Sequence, residues 1–248
     1  MPQKSILITG ASSGIGEALA MHYAKDKATL FISGRNSERL NAVKEKCEKL
    51  GAIVHAEVLN VTDRKAMQKW IEQAEKKSPL DLVIANAGVS SGQEIPENIF
   101  NTFDINVGGV INTIIPVIEL FKNKKQGQLA IVSSIAGYHG LPSCPSYSAT
   151  KACVKAYGEA LRVQLKPYNI KVSVICPGFV RSRITDKNTC PMPFFMETPD
   201  AATLIAKKLE KNVGLIAFPL PMRLSSWFIS ILPNFISGFI YSLLPHKV

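Results

Sequence analysis

The five cysteines, Cys47, Cys144, Cys153, Cys176 and Cys190, are odd in number and contain no Cys-x-x-Cys pair. That argues against a disulfide framework or a zinc site, so reduced thiols, most of them in the core, and no bound metal are expected. An apolar leader is also missing. Met1-Pro-Gln-Lys4 runs directly into residues 5–9, which read as a short buried strand, so no signal peptide is expected and the protein should begin in the cytosol. No internal repeat or low-complexity linker divides the chain. Its 248 residues, 46% hydrophobic, suffice for one α/β domain with a sizeable core. Acidic residues are scarce beside basic ones, 19 against 29, for a net charge of +10. The basic residues are scattered along helix-like stretches, with Lys122-Asn-Lys-Lys125 the densest run, so nucleic acid is not expected as a partner. The surplus still favours phosphorylated ligands and anionic membrane.

What is present is a sustained alternation of strand and helix. Short apolar runs at residues 5–9, 29–33, 53–58, 82–85, 128–133, 171–176 and 213–217 alternate with helical spacings at 17–25, 37–50, 63–76, 99–121 and 147–166. The economical fold is a doubly wound parallel sheet of about seven strands with helices on both faces, a Rossmann-like α/β domain over residues 1–218, followed by an apolar tail over 219–248. Inside the fourth helix, Asn106 and Gly108-Gly109 predict a local distortion.

The first strand ends in Thr9-Gly10-Ala11-Ser12-Ser13-Gly14-Ile15-Gly16, just ahead of a helix. Glycines permit a tight turn and close approach to a pyrophosphate, and the helix N-terminus supplies N–H groups and positive dipole. The spacing is Gly-x-x-x-Gly-x-Gly and not the commoner G-x-G-x-x-G. At the end of the second strand, where a dinucleotide fold usually carries an acid for the ribose hydroxyls, an acid is missing. Arg35 stands there instead, with Arg39 one turn on. A guanidinium suits a 2′-phosphate, and NADP(H) is the expected cofactor; the bland alternative is a solvated residue at a helix start.

Tyr147 and Lys151, four apart in a helix, share one face, and a nearby cation is the obvious way to make a phenol useful as an acid or base. Ser133-Ser134 closes the fifth strand, at the carboxyl edge where open α/β sheets place ligands. Asn86-Ala87-Gly88 follows the fourth strand and Pro177-Gly178 the sixth.

Together these motifs closely resemble the short-chain dehydrogenase/reductase family over roughly residues 5–218. The resemblance implies that Tyr147 donates or accepts the proton, that Ser134 hydrogen-bonds the substrate oxygen, and that Lys151 binds the nicotinamide ribose and lowers the phenol pKa. The resemblance implies further that Asn106 supports a water in the proton relay. It also implies a cofactor site made by Thr9, Gly10, Ser12, Ser13, Gly14, Ile15, Gly16, Arg35, Asn60, Val61, Asn86, Ala87, Gly88, Tyr147, Lys151, Pro177, Gly178, Val180 and Ser182. Two positions depart from the family: Asn60 replaces an Asp near the adenine, and Ser182 stands where a Thr often contacts the nicotinamide amide. Residues 184–198 correspond to the variable substrate lid, and Phe194, Phe195 and Met196 there imply either an apolar pocket or a packed lid.

The expected activity is NADP(H)-dependent interconversion of a carbonyl and an alcohol on an apolar substrate, lipid-like or steroid-like. The alternative is a catalytically silent dinucleotide-binding redox sensor or scaffold. A homodimer or homotetramer is expected. Residues 224–245 carry no charge and, read as one helix, place eleven large apolar side chains on a broad face opposite a stripe of Ser226, Ser230, Asn234, Gly238 and Ser242. Pro233 makes a spanning helix awkward, so residues 222–247 are expected to lie in a membrane interface, placing a cytoplasmic protein peripherally on the cytoplasmic membrane face. Burial against its own domain or a partner subunit is the alternative.

Overall fold

The computed structural model describes residues 4–90, 92–183, 185–187 and 191–242. Its strands are β1 (Ser5–Ile8), β2 (Thr29–Gly34), β3 (Ile53–Val58), β4 (Leu82–Ala85), β5 (Gly127–Val132), β6 (Ile170–Pro177) and β7 (Leu215–Phe218). They form one sheet in the order β3-β2-β1-β4-β5-β6-β7, every pair parallel. A parallel sheet covered on both faces needs continuous apolar strands, and β1, β2 and β4 are buried at every position. At the edge, β3 leaves Ile53, Glu57 and Val58 exposed.

The helices are α1 (Gly14–Ala24), α2 (Ser37–Lys49), α3 (Arg64–Lys77), α4 (Pro96–Phe103), α5 (Gly109–Lys124), α6 (Pro145–Gln164), α7 (Thr198–Glu210), α8 (Leu220–Ser230) and α9 (Asn234–Ser242). On one face of the sheet, Leu19 and Tyr23 of α1, Leu40 and Val43 of α2 and Ile205 and Leu209 of α7 pack on Ile6, Ile8 and Ile32. On the other, Met67 and Ile71 of α3, Ile114 and Phe121 of α5 and Val154 and Leu161 of α6 pack on Leu7, Val83 and Ile131. Each fully buried aliphatic or phenyl group contributes roughly 1.5–3 kcal/mol. Strand order reverses between β1 and β4, which opens a crevice at the carboxyl edge of the sheet.

Asp63 caps α3, its carboxylate accepting from Ala66 N at 3.0 Å, one residue before the helix proper. The distortion expected around Asn106 is a single π-helical turn, Asp104–Gly108, between α4 and α5. Gly109 follows because α5 crosses over Val61: a Cβ there would lie 2.5 Å from Val61 Cγ2. Residues 96–124 are long and apolar enough to cross a membrane, yet Val110, Ile114, Val117 and Phe121 are buried in the second core, which makes this a core helix.

Two expectations are corrected. Only Cys47 and Cys176 are buried; Cys144 is half-buried and Cys153 exposed, while Cys190 lies outside the described residues. Burial pushes both core thiols up to about 11, so they stay protonated. The tail is not one continuous helix. Pro233 cannot donate the backbone bond that a continuous helix needs, and the chain turns over residues 231–233, separating α8 from α9. The break shifts the faces: Ser237, outside the predicted polar stripe, is buried, whereas Gly238 is exposed. Leu220, Leu224, Trp227, Phe228, Ile231, Phe235, Ile236 and Phe239 remain exposed. Leu243, Leu244, His246 and Lys247 lie outside the described residues.

Candidate active site

At the head of the crevice, Thr9 and Asn86 lace β1 to β4. Thr9 Oγ1 accepts from Asn86 N (3.1 Å) and Ala87 N (3.2 Å), and Asn86 Nδ2 donates to Thr9 O (2.9 Å) and Gly10 O (3.1 Å). The Asn86 side chain therefore holds the glycine turn in shape. Gly10 has φ +67° and a Cβ there would meet Ala87 Cα at 2.7 Å, so both backbone conformation and space demand glycine. The turn leads into α1, whose N-terminus opens on a cleft of about 560 Å³.

Gly10, Ser12, Ser13, Gly14, Ile15, Arg35, Asn60, Val61, Asn86, Ala87, Gly88, Ser134, Tyr147, Lys151, Pro177, Gly178, Val180 and Ser182 all line this cleft. Thr9, Gly16 and Asn106 do not; they stand behind its wall.

One end of the cleft is cationic. Asn36 caps α2, its side-chain oxygen accepting from Arg39 N at 2.8 Å, and this brings Arg39 onto the cleft beside Arg35. Arg39 Nε is buried and has no hydrogen-bond partner among the described residues. A buried guanidinium N–H without an acceptor, in a cleft wall with no acid beside it, fits a phosphate group. The sequence signal for Arg39 was its place in the first turn after the Asn36 cap. Asn60 is otherwise engaged: its Oδ1 accepts from Thr62 N at 3.2 Å and its carbonyl from Asp63 N at 3.0 Å, turning the chain toward α3.

At the other end, Tyr147 and Lys151 face each other on α6, the Lys151 ammonium 5.6 Å from the centre of the Tyr147 ring. Lys151 is buried, and its Nζ donates to Val132 O at 3.0 Å. Burial pulls its pKa down to about 8. Burial likewise pushes Tyr147 up to about 12, against the opposing pull of the Ser134 hydroxyl. In this geometry the lysine serves the Val132 carbonyl, and desolvation dominates the phenol. Ser134 Oγ accepts from Ala136 N at 3.1 Å and donates weakly to Pro177 O at 3.4 Å, which fixes it at the top of β5.

Asn106 is fully buried in the π-turn. Its Nδ2 donates to Val89 O (2.9 Å) and Thr150 Oγ1 (3.0 Å), and its Oδ1 accepts from Val89 N (2.8 Å). The side chain thus spends its hydrogen bonds on protein partners.

The loop after β6 closes the third side. Ser182 and Thr185 are tied together, Ser182 N donating to Thr185 Oγ1 at 2.8 Å and Thr185 N to Ser182 Oγ at 3.3 Å. Thr185 also lines the cleft; the three-residue spacing from Ser182 was the signal that sequence reasoning passed over. Arg183, Asn98 and Asn101 were missed as well. Of the lid, Ile184 and residues 188–190 lie outside the described residues. Met196 packs on the first core and its backbone pairs with Phe179 and Arg181. Phe195 lies under the Arg181 guanidinium, itself held by both Glu197 oxygens, and Phe194 is exposed. None of the three lines the cleft, so an apolar pocket built from them is not what forms.

A parallel doubly wound sheet with a glycine turn and a phenol–ammonium–hydroxyl cluster on one cleft defines a dinucleotide-binding α/β oxidoreductase. The sequence pattern described as short chain dehydrogenase matches residues 4–191. The chain belongs to the short-chain dehydrogenase/reductase family and is an oxidoreductase of that family with a small-molecule substrate. It is 36% identical over 239 residues, 94% of each chain, to an uncharacterized oxidoreductase of Myxococcus xanthus (strain DK1622). In three dimensions it is similar to a short chain dehydrogenase/reductase from Burkholderia phymatum in complex with NAD, with TM-score 0.84 and 22% identity over 92% of both chains. It is similar also to ElxO with NADP bound, with TM-score 0.80 and 21% identity, covering 90% of this chain and 99% of that one.

Proposed function

We propose that the protein is an NADP(H)-dependent oxidoreductase that interconverts a carbonyl and an alcohol on an apolar substrate. The observation that carries this reading is that Ser134, Tyr147 and Lys151 line the same cleft as the glycine turn and Arg35. The nicotinamide group, when bound, supplies or accepts the hydride. A carbonyl oxygen gaining negative charge needs donors already in place, and the Ser134 and Tyr147 hydroxyls offer two. With its pKa near 12, Tyr147 is protonated at neutral pH and suited to give its proton to that oxygen. Lys151 Nζ, held to Val132 O, carries positive charge to the phenol's side of the cleft. Asn106 acts as a positioning residue through Thr150.

Arg35 and Arg39 support NADP(H) over NAD(H), since two guanidinium groups on the cleft, with no Asp or Glu among its lining residues, suit a 2′-phosphate. The unpartnered apolar surface on α4, α5 and α6, at Phe100, Ile115 and Val163, supports a homodimer or homotetramer. The reading is of a cytoplasmic protein with a peripheral seat on membrane through its C-terminal helices.

The test is Tyr147→Phe assayed against a panel of carbonyl compounds by NADPH consumption. Retained nucleotide binding with turnover reduced by roughly 10²–10⁴-fold is the expected result. Full activity in the variant refutes the mechanism, and failure of the wild type on every carbonyl favours a silent dinucleotide-binding sensor or scaffold.

A further inference from the structure

The C-terminal helices are apolar on their outer sides and anchored on their inner sides to the walls of the active site. On α8, Leu224, Trp227 and Phe228 share one face, continued by Ile231 at the helix end, each more than half exposed, at 52, 53, 55 and 59%. On α9, Phe235 and Phe239 are a turn apart and exposed at 79 and 65%. The segment itself carries one sign of charge: residues 211–248 contain no Asp or Glu, while Lys211, Arg223 and Lys247 are basic, in a chain of net charge +10. Arg223 is exposed on α8, one residue before Leu224 and one turn before Trp227.

The inner sides reach the catalytic loops. Met222 of α8 packs with Tyr138 and Cys176, and its Sδ stands 2.8 Å from where a Cβ on Gly178, a cleft residue, would be. Ser237 of α9, 1% exposed, meets His139 Nε2 at 3.2 Å. His139 follows the short turn that starts at Ser134, and its loop walls a hollow of about 500 Å³ together with Leu141, Pro142 and Pro145.

We propose that α8 and α9 are a docking surface for an anionic lipid bilayer, placed beside the substrate end of the cleft so that the alcohol or carbonyl compound acted on is membrane-resident. Exposed aromatic side chains and an exposed arginine, in a segment without Asp or Glu, match the boundary between acyl chains and negatively charged headgroups. The turn at residues 231–233 lets two short helices lie on that boundary where one spanning helix cannot form. The substrate half of this inference rests on the oxidoreductase reading; the docking half does not.

The test uses full-length protein sedimented with vesicles of phosphatidylcholine alone and of phosphatidylcholine with phosphatidylglycerol. Binding is expected to both and tighter with phosphatidylglycerol. Trp227→Ser, Phe228→Ser and Phe235→Ser each weaken it by roughly tenfold, because each removes most of one buried side chain. Arg223→Glu weakens binding to the anionic vesicles alone. NADPH binding and reduction of a water-soluble ketone stay unchanged in all four. No vesicle binding by the wild type, or binding indifferent to the three ring substitutions, overturns the docking surface. So does a sedimentation equilibrium in which those substitutions convert an oligomer to monomer without any vesicle binding, which assigns the face to a second copy of this chain. Vesicle binding without reduction of any carbonyl leaves the docking surface standing and refutes the oxidoreductase reading; reduction of the soluble ketone without vesicle binding does the reverse.

Discussion

The Asn106 amide donates to the Thr150 hydroxyl at 3.0 Å, across 44 residues of sequence, and that hydroxyl donates to the Tyr147 carbonyl at 2.8 Å. The π-turn is thereby tied to the helix that carries the phenol and the ammonium. Thr150→Val leaves an Asn106 N–H buried without an acceptor, at a cost of about 1–3 kcal/mol. Its expected effect on activity is a lower kcat with KM little changed, because Tyr147 loses a support and the cleft keeps its lining. Thr150→Ser, which keeps the hydroxyl, restores both; thermal melts and steady-state kinetics on the pair check this.

Lys151 makes a pH prediction. Its folded pKa, near 8, lies below the ordinary 10.5, so between those values the unfolded chain binds more protons and stability rises with pH. Below pH 8 the full penalty of a buried ammonium is present. Lys151→Met is therefore expected to be more stable than the wild type at pH 7, by about 1–3 kcal/mol after loss of the bond to Val132 O. The gain fades above pH 8 and is gone by 10.5, while turnover is lost throughout. Denaturant unfolding at pH 7 and 10 reads the difference; an unchanged gap at the two values contradicts it.

Arg35 and Arg39 are expected to divide the work of phosphate recognition. Arg35→Asp places a carboxylate on the cleft wall and should weaken NADPH by roughly 10²-fold or more while improving NADH. Arg39→Ala should weaken NADPH by about tenfold and leave NADH unchanged. Nucleotide fluorescence titrations measure both, and equal wild-type affinity for the two nucleotides removes the role from Arg35.

Gly10→Ala is expected to lower stability by about 2–4 kcal/mol, since φ +67° strains any L side chain and the new methyl runs into the Ala87 backbone at 2.7 Å. Nucleotide binding should fall with it, as the turn shifts away from α1. A melting temperature within 2 °C or so of the wild type would contradict this packing.

The sheet and most of its covering helices were legible in the order of residues, because strands buried on both faces must be continuously apolar and covering helices must carry a stripe at the 3.6-residue period; α7 was not read. Leu82–Ala85 was legible to the residue because it is continuously apolar, and Ile53–Val58 was placed to the residue although it is an edge strand with Ile53, Glu57 and Val58 exposed. The glycine turn and the Tyr147–Lys151 pair were legible because both are local: one is a backbone requirement, the other a spacing on a helix. Where most of the site's side-chain hydrogen bonds go depends on the packed fold and was not legible in the order of residues. Lys151 turns to the Val132 carbonyl and Asn106 is taken up by Val89 and Thr150, partners that depend on how distant segments cross, while Asn60 is engaged locally by Thr62. Arg39 joined the cleft through the Asn36 cap, while Phe194, Phe195 and Met196 left it because the lid's backbone pairing turns them elsewhere. The tail shows both limits at once. Its apolar content and the break that Pro233 imposes were plain in the sequence, but the burial of Ser237 against His139, 98 residues away, and the outward set of Trp227, Phe228 and Phe235 depend on packing against distant loops.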